Sequence, residues 1–82
     1  MLEIRPNCEC CDRDLAPNDS DVFICSFECT WCAGCVDRFE NRRCPNCGGV
    51  LTLRPPRAIE KLAAHRASTH RVVTPGCIEA HA

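Results

Sequence analysis

Residues 25–35 read CSFECTWCAGC, and the way their four cysteines divide decides the fold. Cys25, Cys29, Cys32 and Cys35 could hold one metal ion together, be shared between two ions, or form half of a disulfide scaffold. The surrounding chain narrows the choice. It has 82 residues with three Phe, one Trp and no Tyr. A domain of this size buries little apolar surface and needs staples. Its ten cysteines are the obvious source of them.

The N-terminus, MLEIRPNCEC, shows no basic start followed by an apolar run, so no secretory signal is read there. No apolar stretch approaches the roughly 18 residues that span a bilayer. The expectation is a cytoplasmic protein with reduced thiols and no membrane contact. Metal ligation then outranks disulfides.

Charge is segregated. Up to residue 40 the chain carries three arginines against nine acids; beyond it, seven bases face two acids. Four thiolates outweigh one dication, so bound zinc would make the cysteine-rich part more acidic still. Such a body repels phosphates, which argues against nucleic acid as the partner.

Eight cysteines fall into four clips: Cys8 with Cys11, Cys25 with Cys29, Cys32 with Cys35, and Cys44 with Cys47. A tight clip presents two thiolates to one tetrahedral ion at about 2.3 Å from each sulfur. Eight ligands satisfy two four-thiolate sites without remainder. Cys29 and Cys32 are two residues apart, so the second and third clips abut. That favours interleaving, with the first clip joined to the third and the second to the fourth.

Around the clips, the sequence predicts a short strand at Leu2 to Arg5 and a hairpin of Val22-Phe23-Ile24 with Phe27 to Trp31. A helix over Ala33 to Asn41 and a last strand over Val50 to Leu53 follow. Residues 1–54 form the expected folded unit. Pro55-Pro56 breaks the chain, and residues 55–82 are expected as a short amphipathic helix over 57–67 and a flexible basic tail.

The spacing over residues 8–47 resembles the RING-finger family, with Cys29 where a histidine is usual and Cys44-Pro45-Asn46-Cys47 as the last clip. The resemblance implies two Zn²⁺ in a cross-brace, one on Cys8, Cys11, Cys32 and Cys35, the other on Cys25, Cys29, Cys44 and Cys47. The fold class expected is thus a small zinc-stapled α+β domain, RING-like, with a β-hairpin, one short helix and a last strand. The stretches MLEIRPNCECCDRDL, CSFECTWCAGC and RCPNCGG also resemble the bacterial domain-of-unknown-function family 1272, over residues 1 to about 57. That resemblance implies a bacterial, cytoplasmic, zinc-binding protein and no particular activity.

Most RING domains dock a ubiquitin-conjugating enzyme through four positions. Phe39 and Pro45 fit two of them. Glu9 stands where an apolar residue is usual, and Gly48 where an arginine is. An iron–sulfur cluster would need a final cysteine after three intervening residues, whereas eight separate Cys35 from Cys44. Cys10, inside the first clip, reads as a spare thiol, and Cys77 as a free thiol in the tail. His65, His70 and His81 read as solvent-exposed.

Four-thiolate zinc has no open position for water, and no Ser/His/Asp or paired-carboxylate constellation appears. The expected role is a non-enzymatic protein-interaction module with Trp31 and Phe39 at its contact surface and another protein as its partner. A ubiquitin-ligase-like activity and a zinc-dependent nucleic-acid-binding regulator are the alternatives. Zinc-finger sites carry roughly 10–16 kcal/mol of folding free energy each at neutral pH. The metal-free chain is therefore expected to be largely unfolded; circular dichroism before and after chelation checks this, and an unchanged spectrum would refute it.

Overall fold

The computed structural model describes residues 2–81. Three short strands form an antiparallel sheet in the order β2-β1-β3, with β1 at Val22–Ile24, β2 at Thr30–Cys32 and β3 at Thr52–Leu53. The β1–β2 hairpin pairs Val22 with Cys32 and Ile24 with Thr30. β3 joins the other edge of β1, opposite Phe23 and Ile24. Helix α1 spans Ala33–Val36, directly after β2, and α2 spans Cys77–Ala80. The fold is a small α+β body, as its sequence implies.

The first and fourth clips are built on one backbone pattern. Cys8 N–H donates to Arg13 O at 2.9 Å and Asp12 N–H to Cys8 O at 2.9 Å. Cys44 N–H donates to Gly49 O at 3.0 Å and Gly48 N–H to Cys44 O at 2.8 Å. Each turn is closed by an antiparallel bridge, Asn7 to Asp14 and Arg43 to Val50. The residue after the second cysteine of each clip is left-handed, Asp12 at φ 60° and Gly48 at φ 74°. Aspartate and glycine are among the residues that tolerate this conformation.

The core between the clips holds Leu15, Val22, Trp31, Val36 and Phe39 among the buried cysteines. Trp31 and Phe39 meet edge to face, with ring centroids 5.0 Å apart. This contact explains why the helix expected over Ala33 to Asn41 ends early. Phe39 turns to extended backbone (φ −74°, ψ 142°), and Asn41 and Arg42 are left-handed. A continuous helix would have to abandon those angles.

Leu2 to Arg5 form no strand. Their carbonyls are taken by the second half of the chain instead: Arg57 Nη2 donates to Leu2 O, Ser68 N–H to Ile4 O, and Arg54 Nη1 to Arg5 O. The helix expected over 57–67 is reduced to a 3-10 turn at Ile59–Lys61. Ile59 is exposed, so no apolar surface supports a longer helix.

The segment from Ser68 onward lies against the cysteine-rich body. Asn7 Nδ2 donates to Val72 O at 3.0 Å, and Thr74 N–H to Glu9 O at 2.8 Å. Arg71 sits 2.8 Å from both Asp12 and Asp14. The basic second half thus folds onto the acidic first half.

Arg54 is the clearest fastener. It is fully buried, and its guanidinium donates to Arg5 O at 3.1 Å and Ala16 O at 3.0 Å. Burial holds its pKa below the usual arginine value. Replacing it with methionine strands two carbonyls, at a cost of about 1–3 kcal/mol for each buried group left unpaired. Arg54→Met is expected to destabilise the fold by about 2 kcal/mol or more, read as a lower midpoint in urea with an unchanged slope.

Candidate metal centres

The sheet and the clip turns bring seven cysteines into two clusters. Cys8, Cys11, Cys32 and Cys35 place their sulfurs within 4.8 Å of one another, and so do Cys25, Cys44 and Cys47. The first cluster joins the first and third clips, and the second joins the second and fourth. Strand β2 carries the division: it begins after Cys29 and ends at Cys32, where α1 turns Cys35 inward.

The donor set fits a tetrahedral thiolate-loving ion. A tetrahedron of sulfurs about 2.3 Å from a central zinc has edges of roughly 3.8 Å. Cys11 Sγ and Cys32 Sγ lie 3.7 Å apart. Three of the four residues of this cluster are buried and Cys11 is half-buried. Thiolate donors select zinc or iron–sulfur chemistry over magnesium or calcium.

Cys29, expected as the eighth ligand, is not within the mutual 4.8 Å of the second cluster. It remains beside Cys25, whose N–H donates to Cys29 O at 3.3 Å. Asn46 Nδ2 donates to Cys29 Sγ at 3.5 Å. The same Nδ2 donates to Glu9 Oε2 at 2.5 Å. A Glu9–Asn46–Cys29 chain, buried at its Glu9 end and exposed at Asn46, therefore sets where this thiol rests. Sequence reading assigned Glu9 only to a departure from the RING pattern, because nothing in its spacing reveals an interaction with Asn46.

Backbone amides also face the sulfurs. Phe27 N–H donates to Cys25 Sγ at 3.4 Å and Gly49 N–H to Cys47 Sγ at 3.4 Å. Such bonds favour the thiolate and orient it. For Cys25, burial pushes the pKa up, but the N–H groups of Phe27 and Cys29 and the neighbouring thiols outweigh it, and the net shift is down. Cys32 behaves alike, with burial opposed by the Cys35 N–H and the thiols of Cys35, Cys11 and Cys8. Burial pushes Cys8 up, and burial with the adjacent Cys32 and Cys8 thiols pushes Cys35 far up. Each cluster thus has one thiol shifted down, Cys32 or Cys25, beside thiols shifted up, Cys8 and Cys35 in the first and Cys44 and Cys47 in the second. Only a cation makes a full set of thiolates tolerable.

Two expectations for single residues are corrected. Cys10 and Cys77 are not free thiols: they form a disulfide across 67 residues, with Cα atoms 5.1 Å apart. The tail brings them together when Thr74 pairs with Glu9, next to Cys10. The arithmetic signal was available, since two cysteines remain when eight are paired. Trp31, read as a surface anchor, is fully buried, and Phe39 is 4% exposed. The tail lies on this side: His81 packs edge-on against Phe39 at 4.9 Å, and residues 74–77 line a cleft together with Trp31. Among the described residues no helix is long and apolar enough to cross a membrane.

A small α+β body with two thiol clusters defines a cysteine-rich protein with possible metal centres. Residues 1–57 match the family described as "Protein of unknown function (DUF1272)", and the chain belongs to that family. It is also 56% identical over 78 residues to an uncharacterised protein of Rhizobium meliloti (strain 1021), covering 94% of this chain and 93% of the relative. No solved structure matches it.

Zinc binding has to expel protons from thiols such as Cys8 and Cys35, whose pKa values lie above the ordinary one. Affinity is therefore expected to rise with pH and to fall on acidification, with protons released on zinc addition in weak buffer. Cys32→Ser should unload the first centre and spare the second. Cys29→Ser should weaken the second without abolishing it, since three thiols stay gathered. Native mass spectra of the two variants across pH read these outcomes directly.

Proposed function

We propose that this chain is a structural zinc protein with a RING-like cross-brace and a non-enzymatic, protein-binding role in the cytoplasm. One Zn²⁺ is held by Cys8, Cys11, Cys32 and Cys35, the other by Cys25, Cys44 and Cys47 with Cys29 closing the shell. The observation that carries this reading is the gathering of thiols from separate clips within 4.8 Å of one another, with Cys11 and Cys32 at the 3.7 Å of a tetrahedral edge. Its further support is family membership among cysteine-rich relatives and the small apolar core, which leaves stability to the ions.

A four-thiolate shell has no vacant position for substrate or water, which supports a binding role over catalysis. The acidic first half supports a protein partner over nucleic acid. Ubiquitin-ligase activity is not part of the proposal. At the position where a docking apolar residue is usual stands Glu9, which is buried and engaged with Asn46 and Thr74.

Native mass spectrometry with elemental analysis of the purified chain tests the metal assignment. Two zinc per chain is the expected result. One ion per chain, or iron in place of zinc, would overturn it.

A further inference from the structure

We infer that Cys10–Cys77 is a reversible redox site, reduced by a dithiol, whose bond latches residues 75–81 over the Trp31–Phe39 face. The inference rests on the two-zinc reading in one respect: bound ions keep the other eight thiols out of the exchange.

The bond is separate from the metal clusters. Cys10 lies between Cys8 and Cys11, yet the first cluster is complete without it. Breaking Cys10–Cys77 therefore removes no ligand. Cys10 and Cys77 are both buried, at 6% and 5% exposure.

What the bond holds is otherwise weakly held. Up to Thr74 the tail is fastened by Asn7, Arg71 and Glu9 through the contacts described above. Past Thr74 the chain turns at Pro75-Gly76, with Gly76 at φ 79°, and forms α2. A helix of four residues has no stability of its own. Ile78 is 42% exposed, so it contributes little burial. Among the described residues, Cys77 joins the buried cluster and His81 packs against Phe39, and no hydrogen bond past Thr74 reaches the body. A cleft of about 180 Å³ still separates this segment from Trp31, Pro45 and Asn46.

Trp31 itself gives the second observation. Its indole Nε1 is buried and has no hydrogen-bond partner among the described residues. An unmet buried donor is a standing cost, and opening the segment that lines a cleft with Trp31 would admit water to this ring. The disulfide holds down a cover that its own non-covalent contacts support poorly. Disulfides in reducing compartments are commonly transient and redox-sensing.

The exchange balances as follows. A thiolate of the dithiol attacks the Cys77 sulfur, forming a mixed disulfide and expelling Cys10 as a thiolate, which takes a proton. The second thiol of the reductant attacks the mixed disulfide, releasing Cys77, which is protonated in turn. Two electrons pass to the protein, the reductant leaves as a cyclic disulfide, and the reverse sequence restores the latch.

The test uses the zinc-loaded full chain and dithiothreitol as the dithiol. Trp31 is the only tryptophan, so acrylamide quenching of its fluorescence reads the cover directly. Alkylation and native mass report which thiols are free and how many ions remain. The expected result is two new alkylation sites, Cys10 and Cys77, with both zinc ions retained and quenching of Trp31 increased several-fold. Cys77→Ser without reductant should match the reduced wild type. Unchanged quenching in the reduced protein or in Cys77→Ser would overturn the inference, as would free Cys10 and Cys77 thiols in air-oxidised protein. Loss of zinc from every sample would instead refute the metal assignment, and the quenching comparison between oxidised and reduced chains would still decide the latch.

Discussion

Four sulfurs in mutual contact cannot all carry charge unless a cation sits among them. That constraint organises this protein. The two clusters draw their members from turns far apart in sequence, so completing either one closes most of the chain. The sheet is too short to do this: its strands have two or three residues each. The core is one aromatic pair and a few aliphatic side chains. Thiol chemistry sets the topology, and packing fills what remains.

Local geometry submits to the same demand. Asp12, Glu28 and Asn41 accept left-handed backbone, and each lies in a turn that delivers or follows a cysteine. Glu28 N–H bonds Cys25 O at 3.0 Å, closing the second clip much as Asp12 and Gly48 close theirs. α1 is cut to one turn because the chain has to come back from Val36 to Cys44. Propensity alone would have let that helix run on.

The sequence made legible the joining of the first clip to the third and of Cys25 to the fourth, since a spacing of two or three residues is a local signal. The hairpin and last strand were legible for the same reason: β-prone residues flank the clips. The missing strand at Leu2 to Arg5 was not. Its carbonyls are satisfied by the Arg54 and Arg57 guanidinium groups and the Ser68 N–H, and donors from about 50 or more residues away leave no periodicity to read. The position of Cys29 depends on Asn46 and Glu9, three residues from three separate turns. The burial of Trp31 depends on a tail whose composition suggested freedom. In each case the deciding partner lies across the fold.

The chain order of the cysteines has a consequence for synthesis. Ten thiols permit many wrong disulfides, and Cys10 lies between two cysteines that must stay reduced. On the two-zinc reading, the first cluster can close once Cys35 has been made and the second once Cys47 has. Cys77 arrives thirty residues later, counting from the sequence. By then every competitor is engaged with metal, and Cys10 has a single partner left to find. Translation order would thus act as an editor of pairing, with no need for an isomerase to sort the alternatives.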